Sequence, residues 1–463
     1  MSDLHLVISL FYLISKKSKL QIDNIYFTDE LNKITIILTT LRKDCISMRE
    51  KKLGPLLLSG LMTGPILGSG IILLPPMIHQ TAGDYAIFAW LLMLGIGFLF
   101  AWVFARLSVE YPNDAGIAYA AEKAFGSRVK KLAVFYFIMA ASFGPAAVLM
   151  TAGEYIHSLA AGTAFPAELY GFVFFIFCMV VLCFNLSFVG MVALIFSTAA
   201  ALILFGSSAA SVPYLREGPL VDGTFQFADF GRGLLLLFWA LVGWEIVGNY
   251  SMEVKNRRKT IPRAVAISSL TVTVIYLATA AAVQWIDPGF FANGQLKLAM
   301  MLTPLFGSFA LPVIAVLTAV LCMCAYFQVT GGAARLVASQ AGRLFAYRSR
   351  GNQPMAALGL MFLIHTIVFV CLMFHFLNVE TLVLIANGFF ICNSLCGLAA
   401  AYKLLSGRVY KIVCLFLMGC FSLLLLFSSS WVLLFIMLAS ALFIVNFRQL
   451  IIWKKVKRPF KSY

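Results

Sequence analysis

Charged residues are scarce in this chain. They make up 12% of its 463 residues, whereas a typical soluble domain has about 25%. Hydrophobic residues make up 62%. This composition excludes an ordinary soluble protein and predicts a polytopic membrane protein, in which each spanning helix needs about 20 apolar residues.

The chain also lacks the motifs of catalytic and metal sites. It has 5 histidines, no His-Glu-x-x-His sequence, and no Gly-x in front of Ser69, as a serine nucleophile loop would require. Nine of the 10 cysteines lie in apolar segments, where cysteine behaves as a small hydrophobe. We therefore expect no enzyme, no cofactor and no metal site.

Apolar segments follow one another along the chain after residue 53. They predict an all-α polytopic membrane protein with about twelve transmembrane helices. The predicted spans are residues 54–78, 85–108, 130–158, 167–185, 188–213, 232–252, 262–285, 308–332, 355–376, 379–401, 411–428 and 431–452.

The formal net charge of +16 does not indicate nucleic-acid binding, because the charge is confined to alternate loops. Of the 29 Lys and Arg residues after Met48, all but Arg216, Arg232 and Lys297 fall on one side of the predicted membrane. Under the positive-inside rule, this distribution predicts that both termini lie in the cytoplasm.

Residues 1–47 differ from the rest of the chain. Their apolar run, LHLVISLFYLIS, is too short to span a membrane. Positive residues follow this run, which is the reverse of the order in a signal peptide. We expect a disordered or interfacial N-terminal extension. The alternative is that the native protein starts at Met48.

The first and sixth apolar segments are interrupted. The first contains Gly-Ser-Gly-Ile at residues 68–71, with prolines on both sides, and glycine and proline readily end a helix. The sixth contains Gly243 and Gly248 on either side of Glu245. Interrupted helices at corresponding positions of two five-helix halves are typical of inverted-repeat transporters, which bind substrate between the breaks.

This spacing predicts a leucine-transporter-like core of two repeats. The expected parts are an N-terminal extension at 1–47, a first five-helix repeat at 48–213, a second, inverted repeat at 232–402, helices eleven and twelve at 411–453, and a basic cytoplasmic tail at 454–463.

Several motifs resemble signatures of the amino acid-polyamine-organocation (APC) transporter superfamily. GPILGSGIILLPP resembles its first-helix signature, and FWALVGWE (238–245) resembles its sixth-helix signature. YPNDAGIAYAAEKAFG (111–126) and EVKNRRKTIPRAV (253–265) resemble the loops that follow the second and sixth helices. Together with 334–343 and 385–408, these motifs most resemble the bacterial branch that exports methionine and branched-chain amino acids.

The resemblance implies a substrate site. In the superfamily the first break binds the substrate carboxylate and the sixth break binds its amine, and helix ends at a break suit these charges. Trp239 would stack on the substrate; the alternative is packing between helices. The implied substrate-binding residues are Leu67, Gly68, Ser69, Gly70, Ile71, Phe238, Trp239, Val242 and Gly243.

Glu245 is the one acid deep in a well-defined apolar segment, where an ionised carboxylate costs roughly 2.5–3.5 kcal/mol on insertion scales. We expect it to carry a proton or to act as a gate that hydrogen-bonds to the broken first helix. The alternative is a structural hydrogen bond that holds its own unwound segment. Related folds bind sodium with a pair of hydroxyl groups late in the eighth helix. The end of the eighth segment here offers only Thr330 as a hydroxyl, so a sodium site is not favoured.

These features predict a secondary active transporter in the bacterial inner membrane that moves neutral, apolar L-amino acids (methionine, leucine, isoleucine, valine) out of the cell. Its partners are the amino acid, the lipid bilayer and, by elimination, protons as coupling ions; nucleic acid is not among them. Import or exchange, including that of basic amino acids or polyamines, stays open as an alternative. A channel or an intramembrane enzyme is a remote one.

Overall fold

The computed structural model describes residues 53–159, 165–219, 221–287, 289, 297–340, 345, 347–349, 353–428 and 430–442. Within these residues the chain is helical, apart from turns, loops and two isolated backbone bridges that join Leu53 to Val254 and Leu215 to Ile286. The predicted N-terminal extension at 1–47 and the basic tail at 454–463 lie outside the described residues.

Long apolar helices dominate the described chain. In order, the α-helices are α1 (Pro55–Leu67), α2 (Gly70–Ala82), α3 (Ala86–Glu110), α4 (Ile117–Phe125), α5 (Ser127–Leu159), α6 (Ala167–Leu182), α7 (Leu186–Ala210), α8 (Phe227–Leu237), α9 (Val247–Tyr250), α10 (Arg257–Trp285), α11 (Lys297–Phe306), α12 (Ala310–Gln340), α13 (Met355–Met373), α14 (Val379–Leu404), α15 (Arg408–Leu426) and α16 (Ser430–Leu442).

Eight helical stretches among the described residues are long and apolar enough to cross a membrane. One of them, Pro55–Glu110, contains α1, α2 and α3. The helices α6 and α16 are apolar but shorter. Each segment predicted from the sequence overlaps one or more of these helices.

Two short helices lie outside the predicted spans. The helix α4 has 9 residues, too few to cross a membrane, and it packs against α5 and α14. The helix α11 has 10 residues and packs against α7 and α12. Each buries one apolar side, as Ile117 and Met301 show. A search for transmembrane spans passes over such helices because they are much shorter than the roughly 20 residues that a span needs.

The first interruption falls between α1 and α2. Gly68 has φ +38° and ψ −144°, and a Cβ atom at this position would lie 2.5 Å from the carbonyl oxygen of Pro65. Only glycine adopts such a backbone without strain. The first predicted break is therefore present, and Gly68 makes it possible.

The second interruption is longer. A 3₁₀ turn covers Phe238–Leu241 after α8, Val242 is extended with ψ 125°, and Gly243 has φ +124°. The next α-helix, α9, begins only at Val247. The sixth predicted span is thus unwound over the region that the sequence motif indicates.

Both interrupted segments are enclosed by longer helices. The helix α1 packs against α7, α10 and α12, and α5 packs against α6, α12 and α14.

The α5–α6 crossing is close because it has glycine on both sides. A Cβ atom at Gly153 would lie 2.5 Å from the carbonyl oxygen of Ala167 and 2.7 Å from the amide nitrogen of Gly171.

We expect Gly153→Ala to destabilise the protein, because the added methyl group would meet backbone atoms of α6. Overpacking of this kind typically costs about 1–3 kcal/mol. The matched control is Gly359→Ala in α13, where an added Cβ meets no atom within 4 Å. Thermal unfolding of both purified variants in one detergent measures the effect. Equal unfolding midpoints would contradict the close α5–α6 crossing.

Candidate functional site

The two helix breaks touch each other through a side-chain hydrogen bond. The indole Nε1 of Trp239, on the 3₁₀ turn after α8, donates to Ser69 Oγ at 3.1 Å. Ser69 is the residue immediately before α2. Two residues selected from the sequence, 170 positions apart, are therefore direct neighbours.

A small cavity of about 30 Å³ lies beside this hydrogen bond. A space of that size holds about two water molecules. Among the described residues, no acidic or basic side chain lines it. The walls come from both breaks and from α5, α12 and α14, and the lining residues are Pro65, Ile66, Ser69, Gly70, Gly144, Pro145, Val148, Trp239, Val242, Ala325, Gln328, Val329 and Phe390.

The structure divides the predicted binding residues into two groups. The residues in the cavity wall are Ser69, Gly70, Trp239 and Val242. The residues buried outside the wall are Leu67, Gly68, Ile71, Phe238 and Gly243. The Phe238 ring, for example, packs against α15, with its centroid 5.1 Å from that of Phe421. The residues of the second group form or surround the breaks, but their atoms do not line the cavity.

Backbone donors collect at the start of α2. The first hydrogen bonds of this helix run from the amides of Ile72 and Leu73 to the carbonyl oxygen of Ser69. The amides of Ser69, Gly70 and Ile71 precede this ladder, as they do at any helix N terminus. With the positive end of the helix dipole, such amides favour an anion.

The carbonyl groups at the end of α1 are held by Tyr276 of α10. Its hydroxyl donates to the carbonyl oxygen of Ile66 at 2.7 Å and lies 3.3 Å from that of Leu67. A Cβ atom at Gly70 would lie 2.7 Å from the same hydroxyl. Glycine at position 70 therefore leaves room for the tyrosine that caps α1.

Gln328 of α12 is a wall residue that the sequence analysis missed. Its Nε2 donates to the carbonyl oxygen of Gly243 at 3.2 Å, so it braces the second break. The side chain is 1% exposed, and its Oε1 has no hydrogen-bond partner among the described residues. The available signal was a lone amide in the apolar run AYFQVTGG.

The helices α5 and α14 complete the wall with residues that were not among the predicted site residues, although Phe390 lies within the motif at 385–408. Gly144 of α5 lies close to two aromatic rings. A Cβ atom there would lie 3.5 Å from the Phe390 ring and 3.7 Å from the Trp239 ring. The neighbouring Pro145 lies inside α5, and a Gly-Pro pair inside a span was the signal that could have found this wall.

Glu245 does not line the Ser69–Trp239 cavity. It is 2% exposed and lines a separate, smaller cavity with Asn249 and Asn393. Its Oε2 accepts a hydrogen bond from the amide of Gly243 at 3.1 Å, within its own unwound segment. Its Oε1 has no partner among the described residues. This geometry is the one that the structural alternative predicts, and Glu245 makes no hydrogen bond to the first break within the described part of the chain.

Ion pairs join the loops at the end where α1 begins. Arg335 is 1% exposed and donates through Nε to Glu253 Oε1 at 2.9 Å and through Nη2 to Gln353 Oε1 at 3.2 Å. A second pair joins Arg348 to Asp114. Burial raises the pKa of Asp114, although Arg348 opposes the shift. The second pair should therefore weaken at a higher pH than a pair made by an exposed aspartate.

A second set of polar contacts joins the loops at the opposite end, after α2. Arg216 Nη2 donates to Asp84 Oδ1 at 2.8 Å, and the amide of Asp222 donates to Asp84 Oδ2 at 3.0 Å. Gln284 Nε2, near the end of α10, donates to the Asp84 carbonyl oxygen at 2.9 Å. Polar contacts thus connect the loops at both ends of the broken helices.

One histidine packs between helices in the interior of the protein. His365 of α13 is fully buried, and its ring nitrogens lie 2.8 Å from the Tyr326 hydroxyl and 2.9 Å from the carbonyl oxygen of Ala141. In the part of the chain that the structure describes, no group of three or more His, Cys, Asp or Glu residues could hold a metal ion.

Two broken apolar helices that meet at a buried cavity, inside a shell of membrane-length helices, define a multi-pass membrane protein of the carrier class. A family model described as "Amino acid permease" matches residues 53–462. The chain belongs to the amino acid permease family, as the resemblance to APC transporters predicted.

Curated relatives are transporters. The chain is 29% identical to the L-methionine/branched-chain amino acid exporter YjeH of Escherichia coli K12, over 75% of this chain and 85% of that protein. It is 27% identical to the cadaverine/lysine antiporter of the same strain, over 59% of this chain and 63% of that protein. The serine/threonine exchanger SteT of Bacillus subtilis is 26% identical, over 49% and 53%.

We expect Gly70→Ala to weaken ligand binding, because its methyl group would push the Tyr276 hydroxyl away from the carbonyl oxygen of Ile66. Tyr276→Phe in the same chain removes the clashing oxygen and should restore part of the loss. Binding is measured by ligand-induced stabilisation of the purified protein, with methionine as the ligand. Additive defects in the double variant would contradict this coupling.

Proposed function

We propose that the protein is a secondary active transporter that exports neutral, apolar L-amino acids by alternating access. The observation that carries this proposal is the Trp239–Ser69 hydrogen bond between the two breaks, beside a cavity without charged side chains. The family match and the relatedness to an exporter of methionine and branched-chain amino acids support it.

An amino-acid zwitterion suits the breaks on electrostatic grounds. The amides of Ser69, Gly70 and Ile71 precede the hydrogen-bond ladder of α2 and can donate hydrogen bonds to the carboxylate. The backbone of the second break, unwound between α8 and α9, offers carbonyl oxygens to the ammonium group. Gln328 Oε1, which lacks a partner among the described residues, is a further acceptor beside the second break.

The side chains of the wall favour an apolar substrate. Ile66, Val148, Val242, Val329 and Phe390 supply hydrocarbon surface. A basic amino acid or a polyamine, as handled by the cadaverine/lysine antiporter, needs a carboxylate near its distal amine. Glu245 is the acid within the second break, but it lines the neighbouring cavity. Cationic substrates are therefore the second candidate.

The cavity volume of about 30 Å³ is smaller than any of the proposed substrates. Entry of methionine thus requires Trp239 to move away from Ser69, so this hydrogen bond acts as a gate over the site. The ion pairs Arg335–Glu253 and Arg216–Asp84 would open in turn to admit and release substrate on the two sides of the membrane.

The proposal includes the topology expected from the sequence. Twelve transmembrane helices would form two inverted five-helix repeats, at 48–213 and 232–402, followed by helices eleven and twelve at 411–453. Both termini would lie in the cytoplasm of a bacterial cell, with the protein in its inner membrane, because Lys and Arg concentrate in alternate loops.

We expect Trp239→Ala to abolish saturable counterflow of labelled methionine in proteoliposomes, because the variant loses both the gate and the aromatic wall. Trp239→Phe keeps the ring and loses the N–H donor, so it should retain transport with a raised KM. The matched control is Trp431→Ala on α16, where the side chain is 47% exposed.

Three outcomes separate the candidates. Competition by methionine, leucine, isoleucine and valine supports the proposal, and competition by lysine or cadaverine alone supports the cationic alternative. Flux that does not saturate indicates a channel. Full activity of Trp239→Ala would contradict the assignment of this cavity as the substrate site.

We expect Glu245→Gln to retain methionine counterflow, because the amide oxygen can still accept from the Gly243 amide, as Oε2 does. The measurement is transport against external pH in wild-type and variant proteoliposomes. An unchanged pH profile supports the structural role that the geometry favours. Loss of pH dependence in the variant would instead support a proton carrier.

A further inference from the structure

A second cavity lies away from the helix breaks, on the outer side of α3. Its volume is about 730 Å³, far larger than that of the Ser69–Trp239 cavity. It is bounded by α3, by the start of α10 and by the start of α15. The lining residues are Phe98, Trp102, Ala105, Arg106, Val109, Glu110, Tyr111, Arg258, Pro262, Val265, Ala266 and Tyr410. We refer to it as the α3–α10 groove.

The wall formed by α3 changes from charged to apolar along its length. Phe98, Trp102 and Arg106 recur every four residues and so share one helix face. Arg106 lies near the end of α3, whereas Phe98 lies eight residues earlier, about 12 Å deeper at 1.5 Å per residue. Phe98 is 54% exposed, as expected of a side chain that faces lipid.

The wall formed by α10 has the same gradient over the same distance. Arg258 lies in the first turn of α10, and Ala266 lies eight residues further along it, again about 12 Å away. Pro262 and Val265 lie between them on the same face. Both walls of the groove therefore have a guanidinium group at one end and hydrocarbon at the other.

Aromatic residues mark the depth of the charged end. The rings of Trp102 and Tyr410 stack with centroids 4.5 Å apart, and Tyr111 lies at the end of α3. Trp and Tyr concentrate where a membrane protein crosses the headgroup region. The mouth of the groove thus lies at headgroup level, and its apolar end lies among the acyl chains.

The charge at the mouth favours an anion. Arg106 pairs with Glu110, but an exposed pair of this kind is worth little and can exchange partners. Arg258 adds a second cation in the lining, and the start of α10 adds the positive end of a helix dipole. Around the mouth the sequence supplies five more cations: Arg257, Lys259, Arg263, Arg408 and Lys411.

We propose that the α3–α10 groove binds an anionic phospholipid, with the phosphate between Arg106 and Arg258 and the acyl chains along Phe98 and Ala266. Basic pockets between membrane helices hold anionic headgroups in this way. The C-terminal segment of the chain itself is a poor occupant, because residues 443–463 contain six Lys and Arg residues and no acid.

Native mass spectrometry of the purified full chain, titrated with phosphatidylglycerol or phosphatidylcholine, tests the proposal. The wild-type protein should retain phosphatidylglycerol preferentially. Arg106→Gln combined with Arg258→Gln should lower phosphatidylglycerol affinity about thirtyfold, because two charges near the headgroup are lost. The matched control combines Arg128→Gln with Arg232→Gln, two exposed arginines outside the groove lining and away from its mouth.

Ala266→Trp provides a test that leaves every charge in place. This exposed residue lines the apolar end of the groove, so a tryptophan there should fill the space and displace the lipid. The variant also decides the question if the arginine double variant aggregates.

Several results would overturn the proposal. Equal retention of both lipids by the wild-type protein, or unchanged phosphatidylglycerol affinity in Ala266→Trp, would refute it. Equal losses in the groove and control arginine variants would indicate diffuse attraction by surface charge. Release of the lipid by an equal concentration of sn-glycerol 3-phosphate would indicate a site for a soluble phosphate ester. Tighter lipid binding after removal of residues 443–463 would identify the chain's own tail as the occupant.

Discussion

Backbone groups at a helix break in an apolar environment each cost several kcal/mol when they lack a hydrogen bond. The rest of this structure depends on how that cost is met. Tyr276 donates to the last carbonyl groups of α1, Gln328 donates to Gly243 in the second break, and the Glu245 carboxylate accepts from the Gly243 amide. Each of these polar side chains is buried, and each makes a hydrogen bond to the backbone of a break.

The same constraint explains why the candidate site is small and uncharged. Once the breaks are braced from α10 and α12, the amides before α2 still precede the hydrogen-bond ladder, and Gln328 Oε1 at the cavity lacks a partner among the described residues. A zwitterion can satisfy both kinds of group without any charged side chain in the wall. The Trp239–Ser69 hydrogen bond then has a double effect, since it holds the two breaks together and covers the place where substrate would lie.

Charged side chains lie near the ends of the helices, and their effect depends on whether they are buried or exposed. Buried pairs such as Arg335–Glu253 join loops across the molecule, and breaking a buried pair is costly. Exposed arginines at the ends of α3 and α10 face the α3–α10 groove instead, where the membrane itself can supply the counter-charge. The Ser69–Trp239 cavity and the α3–α10 groove thus differ in kind: the cavity lies between buried helix breaks, whereas the groove has exposed arginines at its mouth.

The sequence by itself determined the membrane class, the positions of the apolar helices and both breaks. Composition, glycine and proline act locally, so Gly68 and Gly243 could be identified without knowledge of their neighbours. The family motifs also selected Ser69 and Trp239, which the tertiary structure places in hydrogen-bond contact. What the sequence could not reveal was which residues complete the wall, because Gly144, Gln328 and Phe390 come from three separate helices that only the tertiary structure brings together. The sequence also could not show which cavity the Glu245 side chain lines. An unwound segment has no regular period from which the direction of a side chain could be predicted. Only the packing of α5, α12 and α14 around the breaks fixed these contacts.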